Sequence, residues 1–197
     1  AALHSRWELA GDAAALRRAE DEAACRILGA DFLHLALPDC IYRLDPVTGA
    51  PLYLSDEDIF GAVHPSEQRL ITILAAQFAQ LPPAHQWYAP LTVGHHVDHL
   101  LVRAATEQAL GRALLYYEDY PYVQKAGYLE QTLGAVTSGW APVVYPVGSV
   151  ALKTKIDAID AFRSQVSTFF RDRADLEVQV SGYLRLVGGE RCWRQIS

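Results

Sequence analysis

The stretch Gly94-His95-His96-Val97-Asp98-His99 places three of the seven histidines of this 197-residue chain within five positions. It lies between a segment with strand character and a run with helical spacing, so His96 and His99 share one face of a first helical turn. The positive end of the helix dipole disfavours imidazolium there, and neutral imidazole is the form that binds a divalent metal. Asp98 is placed to accept a hydrogen bond from a neighbouring imidazole and so fix its tautomer. Spacing alone leaves two readings open: a metal-centred site, or a polar, solvated helix start that Asp98 helps to cap. Nucleophilic catalysis would need Ser or Cys on a sharp turn beside the base. No Gly-x-Ser-x-Gly occurs, and Ser138 and Ser149 stand near strand ends with no supporting pattern. Walker and Gly-x-Gly-x-x-Gly loops are absent too, so no nucleotide cofactor is expected.

The elements that must position these residues follow from composition and periodicity. A hydrophobic content of 51% is enough for the core of one ordinary domain, and 20% charged residues with no long apolar run points to a soluble, globular chain without a membrane anchor. The net charge of −6 offers no positive field for gathering phosphates, so small molecules are better partners than nucleic acid. Cys25, Cys40 and Cys192 are odd in number and far apart, which suggests neither a disulfide framework nor a thiolate zinc site and makes a reducing cytoplasm the expected location. Self-association is left open.

Asp12 as N-cap, Leu16, Ala19, Ala23 and Ile27 at helical spacing and Gly29 as stop predict a helix over about Ala13–Leu28. Phe32–Leu37 is a nearly continuous apolar run stopped by Pro38-Asp39, read as a strand buried on both faces, with His34 a core histidine. A long irregular loop covers Asp45–Pro65. Helices are then expected near Ser66–Leu81, Val97–Leu110, Val123–Leu133, Ser149–Ser167 and Ala174–Val187, and strands near Gln86–Leu91, Ala113–Tyr117 and Val143–Val147. That alternation predicts one α/β domain, a three-layer, mostly parallel sheet with helices on both faces. Ligands in such sheets bind beyond the carboxyl ends of the strands, which singles out Pro38–Arg43, Thr92–Asp98 and Glu118–Val123. A chain of this kind that opens on a helix suggests a first strand outside the sequence, and the absence of Met points the same way.

In this order, Arg17-x-x-Glu20, Ile27-Leu28-Gly29, Leu37-Pro38-Asp39, His96-Val97-Asp98-His99 and Tyr117-Glu118-Asp119-Tyr120-Pro121-Tyr122 resemble the PIG-L/LmbE-like de-N-acetylases. Ser164-Gln165 and Gly189-Glu190-Arg191-Cys192-Trp193-Arg194 are similar to a bacterial branch of that family. The resemblance implies a Rossmann-like fold, one catalytic zinc, and hydrolysis of an N-acetyl group on an amino-sugar-containing small molecule or related amide. It implies that His99 is a zinc ligand. His96 would stabilise the oxyanion or protonate the leaving amine, with Asp98 orienting it, while Arg17 and Asp39 would contact substrate hydroxyls or phosphate. The family's remaining zinc ligands and its general base come from a His-x-Asp-Asp motif that does not occur in these 197 residues, so part of the site is expected to lie outside them. Val97 stands where many members have Pro, a mild departure at a first helical turn.

Each residue has a plainer alternative. Arg17 has Asp21 four positions on, as expected of a solvated helix face, and Asp39 after Pro38 is an ordinary turn residue. Glu118 and Tyr120 lie among tyrosines that either line a sugar site or belong to the core. A non-catalytic sugar-binding or structural relative without metal is the rival function.

Overall fold

The computed structural model describes residues 13–111, 113–134 and 139–196; Asp12, His4 and Ser138 lie outside that set. Helix α1 covers Ala13–Leu28, and the chain leaves it at Gly29, as the spacing predicts. The chain then forms two compact units, one of residues 1–38 and 144–190, the other of residues 39–143 and 191–197.

The first unit is helical. Helix α1 packs against α6 (Ser149–Asp160), which also meets α7 (Arg163–Phe169) and α8 (Arg173–Val187). Glu20, buried on α1, accepts from the backbone N–H of Ser164 at 2.7 Å and from its hydroxyl at 2.6 Å. A carboxylate at these first N–H groups of α7 satisfies donors that the helix itself cannot. Phe32–Leu37 is not a strand: the segment runs irregularly, with Phe32 and Leu33 exposed. A strand needs a ladder partner for its backbone groups, and the strands described here pair elsewhere. His34 is half-buried rather than a core residue, its Nε2 lying 2.8 Å from Asp21 Oδ2.

The second unit holds the sheet. Strands β1 (Tyr88–Pro90), β2 (Leu115–Tyr117), β3 (Trp140–Tyr145) and β4 (Glu190–Gln195) lie in the order β1-β2-β4-β3. β1 and β2 are parallel, Tyr88 opposite Leu115, whereas β4 runs antiparallel to β2, with Tyr116 opposite Trp193. The sheet is therefore mixed rather than mostly parallel, and β4 is an element that the sequence pattern does not announce. Helix α4 (Val97–Leu110) connects β1 to β2 and packs on α3 (Gln68–Phe78) and on β1. Arg103 of α4 fastens this layer: its Nη1 donates to Leu91 O at 3.0 Å and its guanidinium lies 4.8 Å from the Tyr116 ring centroid. The core around them is Leu91, Val93, Val97, Leu101, Leu114 and Leu115.

The expected helix over Ser66–Leu81 is a 3-10 turn at Pro65–Glu67 followed by α3. The expected helix at Val123–Leu133 is a 3-10 turn at Tyr122–Gln124 and α5 (Tyr128–Leu133). Within the long loop, α2 (Asp56–Ile59) is a single turn closed by a capping box between Ser55 and Asp58.

Gly189 sits at φ +144, and a Cβ there would lie 2.2 Å from the carbonyl oxygen of Tyr145. Gly189→Ala is therefore expected to cost more than about 2 kcal/mol. Gly148→Ala, where a Cβ meets open space, should shift the thermal midpoint by no more than about 1–2 °C. Thermal unfolding followed by circular dichroism checks both.

Candidate functional site

The site is built at the carboxyl ends of β1 and β2. After β1 the chain makes a tight turn in which Thr92 (φ 69), Gly94 (φ 90) and His95 (φ 59) all adopt left-handed backbone. A Cβ on Gly94 would lie 3.1 Å from the Tyr122 side chain, so the turn needs glycine there for space as well as for dihedral angle. The turn delivers His96 to the N-cap of α4, where its Nδ1 accepts the backbone N–H of Asp98 at 3.2 Å. In the neutral ring, Nε2 of His96 then carries the proton. Burial pushes the His96 pKa down, against the opposing charge of Asp98, and so favours that neutral form.

His99, one turn along, is held the opposite way. Its Nδ1 lies 2.6 Å from Oδ1 of Asp119, whose side chain is fully buried and whose Oδ2 accepts Val93 N–H at 2.8 Å. A proton on Nδ1 facing the carboxylate leaves the Nε2 lone pair of the neutral ring outward, the arrangement in which a carboxylate orients a metal-binding histidine. The His96 and His99 ring centroids are 5.2 Å apart. Phe60 lies edge-on to His96 at 5.4 Å and Tyr122 edge-on to His99 at 6.3 Å, so aromatic faces border both imidazoles.

Asp98 reaches His96 through its backbone; its carboxylate points elsewhere. Oδ1 accepts from Arg43 Nη1 and Oδ2 from Cys40 N–H at 3.3 Å. Arg43 is buried and also bonded to buried Glu67 through both Nε and Nη2. Tyr53 donates to Glu67 and accepts His64 N–H at 2.9 Å, its own pKa pushed up to about 12 by burial and by that carboxylate. Burial alone would lower the Arg43 pKa, but Asp98 and Glu67 hold it above its usual value. The network fastens the 3-10 turn Cys40–Tyr42, capped by Asp39, to the start of α4.

The structure thus brings together Asp39, His96, Asp98 and His99 from the expected site residues. Glu118 is buried at the end of β2, and its Oε1 accepts from Arg191 Nε at 2.6 Å and Trp193 Nε1 at 2.8 Å. Tyr120 is half-buried and precedes Pro121 through a cis peptide bond. Arg17 is half-buried on α1, in the other unit. Sequence reasoning does not single out Asp119, Arg43, Glu67 or Cys40. The acidic pair Glu118-Asp119 at a strand end was the one available signal. Among the described residues, the His, Cys, Asp and Glu donors grouped closely enough to share an ion are Cys40, His96 and Asp98, all within 4.8 Å of one another.

Removing the buried cation by Arg43→Met should leave Glu67 unpaired in the interior and cost about 3–5 kcal/mol, part of which Glu67→Gln restores in the double variant. Denaturant unfolding measures both. His96→Asn keeps an oxygen acceptor for Asp98 N–H while removing the titrating ring. The His96 pKa in the fold lies below the unfolded value of about 6.5, so its contribution is present above that pH and is lost as pH falls through the folded value. The stability difference between wild type and His96→Asn should therefore move against wild type between about pH 7.5 and 5, measured by unfolding midpoints across that range.

No protein-family description and no curated protein matches the chain. Solved structures do. Teicoplanin deacetylase Orf2 in its zinc-inhibited form superposes with a TM-score of 0.79 at 23% identity, over 99% of this chain and 79% of that one. A deacetylase-bog complex from teicoplanin biosynthesis gives 0.79 at 23%, over 99% and 78%. The deacetylase-teicoplanin complex gives 0.73 at 22%, over 98% and 78%. At this identity the likeness is one of fold: the chain has an α/β fold similar to that of these deacetylases.

Proposed function

We propose that the chain is a zinc-dependent hydrolase of the PIG-L/LmbE-like type, removing an N-acetyl group from an amino-sugar-containing small molecule or related amide. One observation carries this reading: two neighbouring imidazoles held in opposite tautomers. His99, backed by Asp119, presents a lone pair, as a metal ligand must. His96, its Nδ1 engaged by Asp98 N–H, presents an N–H, as a hydrogen-bond donor to a developing oxyanion must. The fold shared with teicoplanin deacetylase favours deacetylation over a serine hydrolase.

The donor chemistry of His99 fits zinc. A catalytic zinc takes about three protein ligands, so those beyond His99 come from residues outside the described cluster. When bound, zinc supplies Lewis acidity toward the amide carbonyl and toward water. The chain's own residues do the rest. His96 Nε2–H would donate a hydrogen bond to the carbonyl oxygen as its charge grows, and the departing nitrogen would take its proton from the attacking water. Asp98 holds that ring through its backbone and anchors α4 through Arg43. Asp39 is the proposed contact to polar groups of the substrate, and Tyr120 and the aromatic rings beside the imidazoles are proposed to pack against sugar C–H faces. Glu118, tied to Arg191 and Trp193, positions the end of β2 in this reading.

A sugar-binding protein without catalysis is the second reading, favoured by the single metal donor that His99 contributes. Zinc content after exhaustive dialysis, measured with acetate release from N-acetylglucosamine conjugates, separates the two. Hydrolysis requires His99→Ala to lose tightly held zinc and His96→Ala to keep it while losing at least about 100-fold in kcat. The reverse pattern exchanges the two roles, and a wild type that takes up no zinc leaves only the binding reading.

A further inference from the structure

We propose that Cys40, His96 and Asp98 form a binding site for a soft divalent cation, of the zinc and cadmium class, whose occupancy silences His96. Three different side chains from two separate segments converge here with ligating atoms within 4.8 Å of one another. Cys40 N–H bonds the Asp98 carboxylate at 3.3 Å, and His96 Nδ1, which accepts Asp98 N–H at 3.2 Å, exchanges that donor for the ion when it binds. Ligand atoms of a tetrahedral site with bonds of 2.0–2.3 Å lie about 3.4 Å apart, so the side chains need to close by roughly 1 Å.

The donor set selects the ion. Magnesium and calcium require six or more oxygen ligands, whereas a sulfur, a nitrogen and a carboxylate oxygen suit zinc and cadmium. Charge favours occupancy as well. The carboxylates of Glu67 and Asp98 pair with one buried cation, Arg43, and that of Asp39 lies beside the Cys40 thiol; binding adds a fourth negative group, because that thiol releases its proton to solvent as the sulfur–metal bond forms. A divalent ion offsets the excess. Cys40 is almost fully buried, and burial pushes its thiol pKa up, so it stays protonated and unreactive until a metal displaces the proton.

Occupancy draws the His96 imidazole onto the metal and away from the amide it is proposed to serve. This regulatory consequence rests on the hydrolase reading; the metal site does not. The test uses the whole chain titrated with cadmium, followed by the ultraviolet thiolate-to-cadmium charge-transfer band. Wild type, Cys25→Ser and Cys192→Ser should all develop the band, Cys40→Ser should not, and Asp98→Asn should weaken binding about 10-fold or more. Circular dichroism confirms that each variant is folded, and the histidine ¹H–¹⁵N spectrum of wild type should show the His96 ring signals moving on zinc addition. A band that survives Cys40→Ser, or an absent band in wild type with unmoved His96 signals, overturns the site. If the band behaves as expected, excess zinc should slow acetate release by wild type and not by Cys40→Ser. A cadmium band with no acetate release under any condition overturns the hydrolase reading and leaves the metal site standing.

Discussion

One buried carboxylate, that of Asp119, fixes the spatial relation of the groups that matter. Its two oxygens take the backbone N–H of Val93, just past β1, and the ring of His99 on α4. Because Asp119 itself follows β2, a single side chain joins the ends of two parallel strands to the helix that connects them. With its side chain fully buried, its charge is met by hydrogen bonds rather than water, and each of those bonds is correspondingly directional. A group attached to this scaffold takes its position from the segments that directly follow two paired strands.

The same reasoning separates the two histidines. They come from one short motif and share one helical turn, so sequence gives them equal standing. What distinguishes them is which ring nitrogen is engaged and by what: a carboxylate acceptor for His99, a backbone donor for His96. Chemistry that needs a lone pair and a proton side by side is thereby divided between identical side chains.

Much of the frame is readable in advance. Helices α4 and α1 cover the expected spans Val97–Leu110 and Ala13–Leu28, because helical spacing and its breakers are local signals, although the N-cap of α4 is His96 and not Asp98. Of the three loops expected beyond strand ends, Thr92–Asp98 and Glu118–Val123 do follow the adjacent parallel strands β1 and β2, whereas Pro38–Arg43 follows no strand. Phe32–Leu37 misleads because a short apolar run carries no information about whether a strand partner exists, and β4 escapes notice because Glu190–Gln195 is brief and mixed in polarity. Arg43, Glu67 and Tyr53 are invisible for a further reason. Their roles are pairings across up to 55 positions of chain, and nothing in an isolated Arg or Glu reports that it will be buried with its counter-charge.

The turn after β1 holds two non-glycine residues, Thr92 and His95, in left-handed backbone. Each such residue stores about 1–3 kcal/mol that surrounding contacts must overcome. Selection for thermal robustness alone would replace them with glycine, yet doing so would loosen the entry to α4 from which His96 and His99 project. This turn is therefore a place where durability and precision pull in opposite directions, and a more heat-resistant version of the protein would have to gain its margin elsewhere, in the helices of the other unit or along the far strands of the sheet.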